Sequence, residues 1–275
     1  MAKIIIIGGG AAGMAAAVFL GEQNHQVHLF EKNEKLGKKL FITGKGRCNI
    51  TNSCDEETFF QSVVSNPKFL YSAFYGYTNR DVIAFFESLG LAVKEERGGR
   101  IFPVSDHSSD VIKVLEQRMK ALDVKIHLKS RVEKVLTENS LEGEEKIRGV
   151  LLENGAEILA DRVIIATGGC SYQATGSTGD GYTFARETNH KVTELRPALV
   201  PIETKEEYVK DMQGLALKNV RFTVKDGKKV LYDDFGELLF THFGISGPLV
   251  LTASSRIGKK LEKKELQAFL DLKAA

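Results

Sequence analysis

The chain has 275 residues, 43% hydrophobic and 27% charged, enough core material for one large domain or two modest ones. A formal net charge of +2 lacks the basic excess that nucleic-acid binding usually brings, so no nucleic-acid partner is expected. Three cysteines (Cys48, Cys54 and Cys170) build no disulfide framework, and the apolar run at the N-terminus is too short for a signal peptide or membrane span; a cytoplasmic protein with no membrane partner is expected.

Residues 4–7, "IIII", form a continuous β-branched run suited to a strand buried on both faces. Gly8, Gly10 and Gly13 then complete a G-x-G-x-x-G pattern. In such a turn the first glycine allows the sharp reversal. The second lets a pyrophosphate approach the backbone, and the third lets helix and strand pack closely. A helix from about Ala11 to Gln23 would aim its free N–H groups and positive dipole end at that phosphate. A second strand ends at Glu31, at the roughly 20-residue offset where a carboxylate accepts ribose hydroxyls. These features together predict a bound dinucleotide. They do not separate NAD from FAD.

The basic stretch after Glu31 reads as an irregular loop and contains "TGKGRCNITN", residues 43–52. It is either a solvated surface loop or a backbone built to lie against a charged, flat ligand. Helical patterning follows over 56–90, with Phe59, Phe60, Val63, Phe69, Phe74, Val82, Phe85 and Phe86 as core candidates. A short strand in "GGRIFP" and a helix from about Ser109 come next. Strands are predicted at 124–128, 131–137, 147–152 and 157–160, with a turn at Asn154-Gly155.

Another buried strand, Val163 to Ala166, runs into Thr167-Gly168-Gly169. Asp180 is placed either to cap a helix through about Asn189 or to contact a cofactor. From Leu195 the pattern shifts to short strands, then a helix with Pro248 in its first turn. The predicted domains are therefore residues 1–194 and 195–275. No second G-x-G-x-x-G follows Gly13, so no separate NAD(P)H-binding domain is expected.

Six runs now carry a resemblance: "IIIIGGGAAGMAAA", "GKKLFITGKGRCNITN", "GGRIFPVSDHSSDV", "ATGGCSYQATGSTGDGY", "PALVPI" and "FTHFGISGP". The chain resembles the bacterial aminoacetone-oxidase-like family (YhiN or BaiN type) of NAD(P)/FAD-dependent oxidoreductases. The resemblance implies an α/β fold: a Rossmann-like FAD-binding domain of the glutathione-reductase type with an inserted, here incomplete, β-rich domain. The family pattern continues past residue 275, so weak and exchangeable FAD binding is expected of these residues alone.

Read with that resemblance, "TGKGRCNITN" is a cofactor cradle. Cofactor contacts are expected at Gly8, Gly10, Ala11, Ala12, Gly13, Glu31, Lys32 and Lys39. Further contacts are expected at Thr43, Gly44, Gly46, Arg47, Cys48, Asn49, Val132, Ala166, Thr167, Gly168 and Gly169. Gly44 and Gly46 would allow close approach, Arg47 and the lysines would offset phosphate charge, and Asn49 and Asn52 would meet a flavin edge. FAD is the implied cofactor, NAD(P)H a transient electron donor, and a small organic molecule the substrate. Alternatives are an oxygen-using amine oxidase, an FAD-dependent RNA-modifying enzyme, or an inactive fragment. Cys48 and Cys54 could form a dithiol redox pair, but the five residues between them favour Cys48 as a packed or flavin-adjacent thiol and Cys54 as incidental. Arg100 divides between an anion site and a surface ion pair, and His242 reads as structural. No metal site and no catalytic side chain is assigned.

Overall fold

The computed structural model of the chain describes residues 1–139 and 145–273. Residues 143 and 144, the first of the stretch "GEEKIRGVLLENGAEI" read from sequence as part of a meander, thus lie outside the described residues. Contacts divide the chain into two units, residues 1–60 with 68–192, and residues 61–67 with 193–275.

The first unit begins with strand β1 (Lys3–Ile7), helix α1 (Ala11–Glu22) and strand β2 (Gln26–Phe30). A short helix α2 (Lys38–Ile42) interrupts the stretch read as irregular. Gly37, at φ +66°, starts it in a conformation unfavourable to a side chain, and Ile112 closes the space where a Cβ would sit. Strand β3 (Thr51–Asn52) and helices α3 (Glu56–Ser62), α4 (Tyr71–Gly76) and α5 (Asn79–Ser88) follow. Of the aromatic core candidates there, Phe74 and Phe86 are buried, whereas Phe69 is 83% exposed. Thr78 and Asp81 form a reciprocal capping box that starts α5.

Strands β4 (Val93–Glu96) and β5 (Arg100–Pro103) make a small antiparallel sheet in the order β3-β5-β4. Helix α6 (Ser108–Ala121) leads to β6 (Lys125–His127). Strands β7 (Val132–Asn139), β8 (Glu145–Leu152) and β9 (Glu157–Leu159) form an antiparallel meander. Strand β10 (Arg162–Ile165) then returns to β1 in parallel register, with Ile7 opposite Ile165. Helix α7 (Asp180–Glu187) follows.

The central sheet has the order β10-β1-β2-β6, and its pairs are parallel. Its two faces alternate as the pleat requires. Ile6 and Leu29 join Met14, Val18, Val111 and Met119 in one core. Ile5, Ile7 and Phe30 join Val135 and Val150 of the meander and Phe184 of α7 in another. A sheet buried on both sides explains the unbroken isoleucine run. The architecture is a mixed α/β Rossmann-type fold.

The second unit holds β11 (Ile202–Glu203), α8 (Tyr208–Asp211), β12 (Ala216–Asp226), β13 (Lys229–Thr241), β14 (Gly244–Ser246), α9 (Pro248–Leu261) and β15 (Gln267–Asp271). Its antiparallel sheet runs β11-β14-β13-β12-β15. Phe222, Leu238, Val250 and Ile257 centre its core. Pro248 occupies the first turn of α9, where its missing N–H costs nothing. Among the described residues, no helix is long and apolar enough to cross a membrane.

Candidate functional site

At the carboxyl ends of β1, β2 and β10 the first unit opens into a cavity of ≈ 850 Å³, lined there by Ile7, Phe30 and Ile165. This end of a parallel sheet is where open α/β folds bind ligands, and the volume is that of a cofactor site. Three backbone bonds carry the strand ladders into the turns. Gly8 N–H donates to the Phe30 carbonyl at 2.8 Å, Ala166 N–H to Ile7 at 2.8 Å, and Glu31 N–H to His127 at 2.9 Å.

The glycines divide the work by position. Gly8 has φ +107°, and a Cβ there would lie 2.5 Å from the Ala166 carbonyl oxygen. A Cβ on Gly13 would overlap the Gly8 carbonyl, so this glycine seats α1 against the turn. A Cβ on Gly10, by contrast, would meet nothing within 4 Å. Gly10, Ala11 and Ala12 line the cavity, and α1 starts with no side-chain cap. Uncapped N–H groups at a helix start facing open space form a natural anion site.

Glu31 is 8% exposed and fully engaged on its protein side. Its Oε2 accepts Gly9 N–H at 2.7 Å; its Oε1 accepts Asn33 N–H at 2.8 Å and Asn33 Nδ2 at 2.7 Å. A carboxylate offers about four acceptor positions, so one remains for a ribose hydroxyl. Around it, Lys32 donates to Thr178 Oγ1 at 2.6 Å and Asp180 Oδ2 at 2.8 Å. Asn33 also donates to the Thr175 carbonyl at 3.2 Å. Burial pushes the Asp180 carboxyl up, but the Lys32 and Thr178 hydrogen bonds outweigh it and hold it below its ordinary value.

Asp180 therefore does not cap α7. Gly179, at φ +87°, takes the cap position, and the Asp180 side chain turns to Lys32. Lys38, Lys39 and Arg131 also line the cavity. Lys38 and Arg131 lie 3.5 Å from Glu34 and Glu153, whereas the Lys39 ammonium donates to the Ser171 hydroxyl at 3.1 Å.

Fourteen of the nineteen expected contact residues line the cavity: Gly8, Gly10, Ala11, Ala12, Glu31, Lys32, Lys39, Thr43, Cys48, Asn49, Val132, Ala166, Thr167 and Gly168. Gly13, Gly44, Gly46, Arg47 and Gly169 do not. Arg47 departs furthest from the expected phosphate role, because Glu96 and Asp106 accept its guanidinium donors. Asn52 is likewise committed elsewhere: it donates to the Gly98 carbonyl at 2.7 Å and accepts Cys54 N–H at 2.8 Å. Asn33, Ser130 and Arg131 line the cavity without having been singled out. Adjacency of Asn33 to Glu31 was the one available signal for it.

Cys48, Asn49 and the apolar or aromatic side chains of Phe19, Tyr77 and Phe85 also line the cavity. The Phe19 ring sits 5.1 Å from the centroids of both Tyr77 and Phe85. Cys48 is buried, and desolvation raises its thiol above the ordinary value while a hydrogen bond with Thr43 opposes the rise. All three cysteines are free. Arg100 donates to the Arg97 carbonyl at 3.2 Å, and His242 packs edge-on against Phe243. Neither lines the cavity.

The profile of the HI0933-like protein Rossmann domain matches residues 2–263. The chain belongs to this family. It is 35% identical over 274 residues to a 3-dehydro-bile acid delta(4,6)-reductase of Clostridium scindens, covering 98% of this chain and 64% of that protein. It is 34% identical over 253 residues to a ribosomal RNA dihydrouridine synthase of Haemophilus influenzae, covering 91% and 60%. The chain thus spans less than two thirds of the length of these relatives. Among solved structures, 3-ketosteroid delta1-dehydrogenase from Sterolibacterium denitrificans superposes with a TM-score of 0.53 at 15% identity, over 79% of this chain and 62% of that one. That likeness concerns the fold.

Proposed function

We propose that the chain forms the cofactor-holding part of an FAD-dependent reductase that saturates an electron-poor carbon–carbon double bond. One observation carries the cofactor reading: the uncapped start of α1, open at Gly10, and the Glu31 carboxylate face a single cavity. The donor set fits FAD along its length. Glu31 would accept a ribose hydroxyl, the first N–H groups of α1 and Lys39 would take the pyrophosphate, and Thr43, Cys48 and Asn49 would meet the ring system. When bound, FAD supplies the hydride chemistry, and this chain's residues supply its orientation and electrostatics. NADH or NADPH is the electron donor proposed for the flavin.

The substrate reading rests on the relatives. A delta(4,6)-reductase and a dihydrouridine synthase both saturate a double bond, and both kinds of relative match this chain at similar identity. A small organic enone is the first reading, supported by the aromatic lining at Phe19 and Phe85. Uridine in ribosomal RNA is the second, favoured by the two relatives so named at 34% and 32% identity.

Denaturation of the purified holoprotein should release FAD and no FMN. Anaerobic titration with NADH and NADPH should then bleach the flavin band, and reoxidation by a steroid enone or by a uridine-containing RNA fragment separates the two substrates. Bound NAD without flavin would overturn the reading.

A further inference from the structure

The residue whose expected role failed, Arg47, has another. The segment Thr43–Asn49, which gives Thr43, Cys48 and Asn49 to the cavity wall, follows a strained course. Gly44, Lys45, Gly46 and Cys48 have φ of +57°, +59°, +85° and +60°. Two of these carry side chains, for which the left-handed region is unfavourable. Such a course persists only where its surroundings over-determine it.

Backbone bonds secure the ends: Cys48 N–H donates to the Thr43 carbonyl at 3.1 Å, and Ile50 N–H to Ile101 at 2.8 Å. The middle is secured by the Arg47 side chain. Its Nε donates to Asp106 at 2.8 Å, its terminal nitrogen donates to Asp106 at 2.6 Å, and two further bonds reach Glu96. Lys94 Nζ completes the cluster, 2.5 Å from the other Asp106 oxygen. The guanidinium lies 4.2 Å from the centroid of the Phe102 ring. A Cβ on Gly44 would come within 3.3 Å of the same ring. Phe102 thus meets the loop at both Gly44 and Arg47.

Two cations and two anions balance in this cluster, which leaves Arg47 no free charge for a phosphate. The planar fork bridging two carboxylates fixes a direction, as a lysine could not. The neighbours that Arg47 positions are Cys48 and Asn49, both on the cavity wall.

We infer that Arg47 is a positioning residue, a clamp that ties the Thr43–Asn49 loop to β4, β5 and the turn at Asp106 and so holds the cofactor-facing wall in shape. The inference rests on the FAD reading for its consequence, but the clamp itself is testable without cofactor.

The test uses the cofactor-free chain with Cys54→Ser and Cys170→Ser, so that Cys48 is the one thiol. Arg47→Ala should speed N-ethylmaleimide labelling of Cys48 by about tenfold, since it removes charge-assisted bonds in a half-exposed setting. Glu96→Gln with Asp106→Asn should reproduce the increase, and Arg47→Lys should restore part of the protection. Val150→Ala, in the core on the other side of the central sheet, controls for general destabilisation. FAD titration of the same proteins should show weaker binding in step with thiol exposure. Unchanged labelling in Arg47→Ala, or equal acceleration in Val150→Ala, would overturn the clamp. Exposed Cys48 with unaltered FAD affinity would overturn its positioning role. A parent chain that binds no FAD would overturn the cofactor reading alone, and the labelling rates would still decide the clamp.

Discussion

Glu31 Oε2 accepts the backbone N–H of Gly9 at 2.7 Å, joining the end of β2 to the glycine turn 22 residues earlier. The carboxylate that would bind a ribose thus also shapes the turn that would bind the phosphates. A substitution there reads out in both fold and affinity.

Glu31→Ala should strip the acceptor from a buried N–H, at a cost of about 1–3 kcal/mol. FAD affinity should fall roughly ten- to a hundredfold. Glu31→Gln keeps one acceptor oxygen and should lose less of each. Thermal unfolding without cofactor, beside a fluorescence titration with FAD, checks both effects. Unchanged unfolding in Glu31→Ala would contradict the Gly9 bond.

Gly10 and Gly13 should behave oppositely. Gly10→Ala places its methyl in open space, so the fold should hold within about 0.5 kcal/mol while the methyl occupies the pyrophosphate's path. Gly13→Ala overlaps the Gly8 carbonyl and should destabilise the chain by about 1–3 kcal/mol or more. Urea unfolding of both variants, with FAD titration of Gly10→Ala, would show equal effects only if the turn were built differently.

The Lys32–Asp180 pair carries a pH dependence. The Asp180 carboxyl is depressed in the folded chain, so its contribution is present above the unfolded value of about 3.9 and is lost as pH falls through the folded value. Asp180→Asn should remove that contribution, about 1 kcal/mol for a mostly buried pair. Unfolding midpoints of parent and variant at pH 7 and pH 3 should therefore converge at the lower pH. A constant gap would place the stabilisation elsewhere.

Cys48→Ser should leave flavin reduction by NAD(P)H largely intact, because burial raises the thiol and disfavours the thiolate a dithiol mechanism needs. Stopped-flow reduction of the holoprotein measures this directly. A long-wavelength charge-transfer band lost in Cys48→Ser would establish thiol participation instead.

What was legible in the residues was local. The isoleucine run, the glycine spacing and Glu31 each state a requirement that chain neighbours impose: a strand buried on both faces, a turn without side chains, an acid one strand later. Those requirements are satisfied within about thirty residues, and pattern alone located β1, α1 and β2. Arg47 and Asp180 show the opposite case. Arg47 meets partners 49 and 59 residues away, at Glu96 and Asp106. Asp180 meets Lys32 across 148 residues. A basic side chain beside a glycine-rich loop reads as a phosphate ligand or as half of an ion pair, and an acid before a helix reads as a cap or as a cofactor contact. Charge is satisfied by whatever the fold brings within about 4 Å, so only the tertiary structure decided that Arg47 clamps, that Lys32 is neutralised, and that Lys39 faces the cavity.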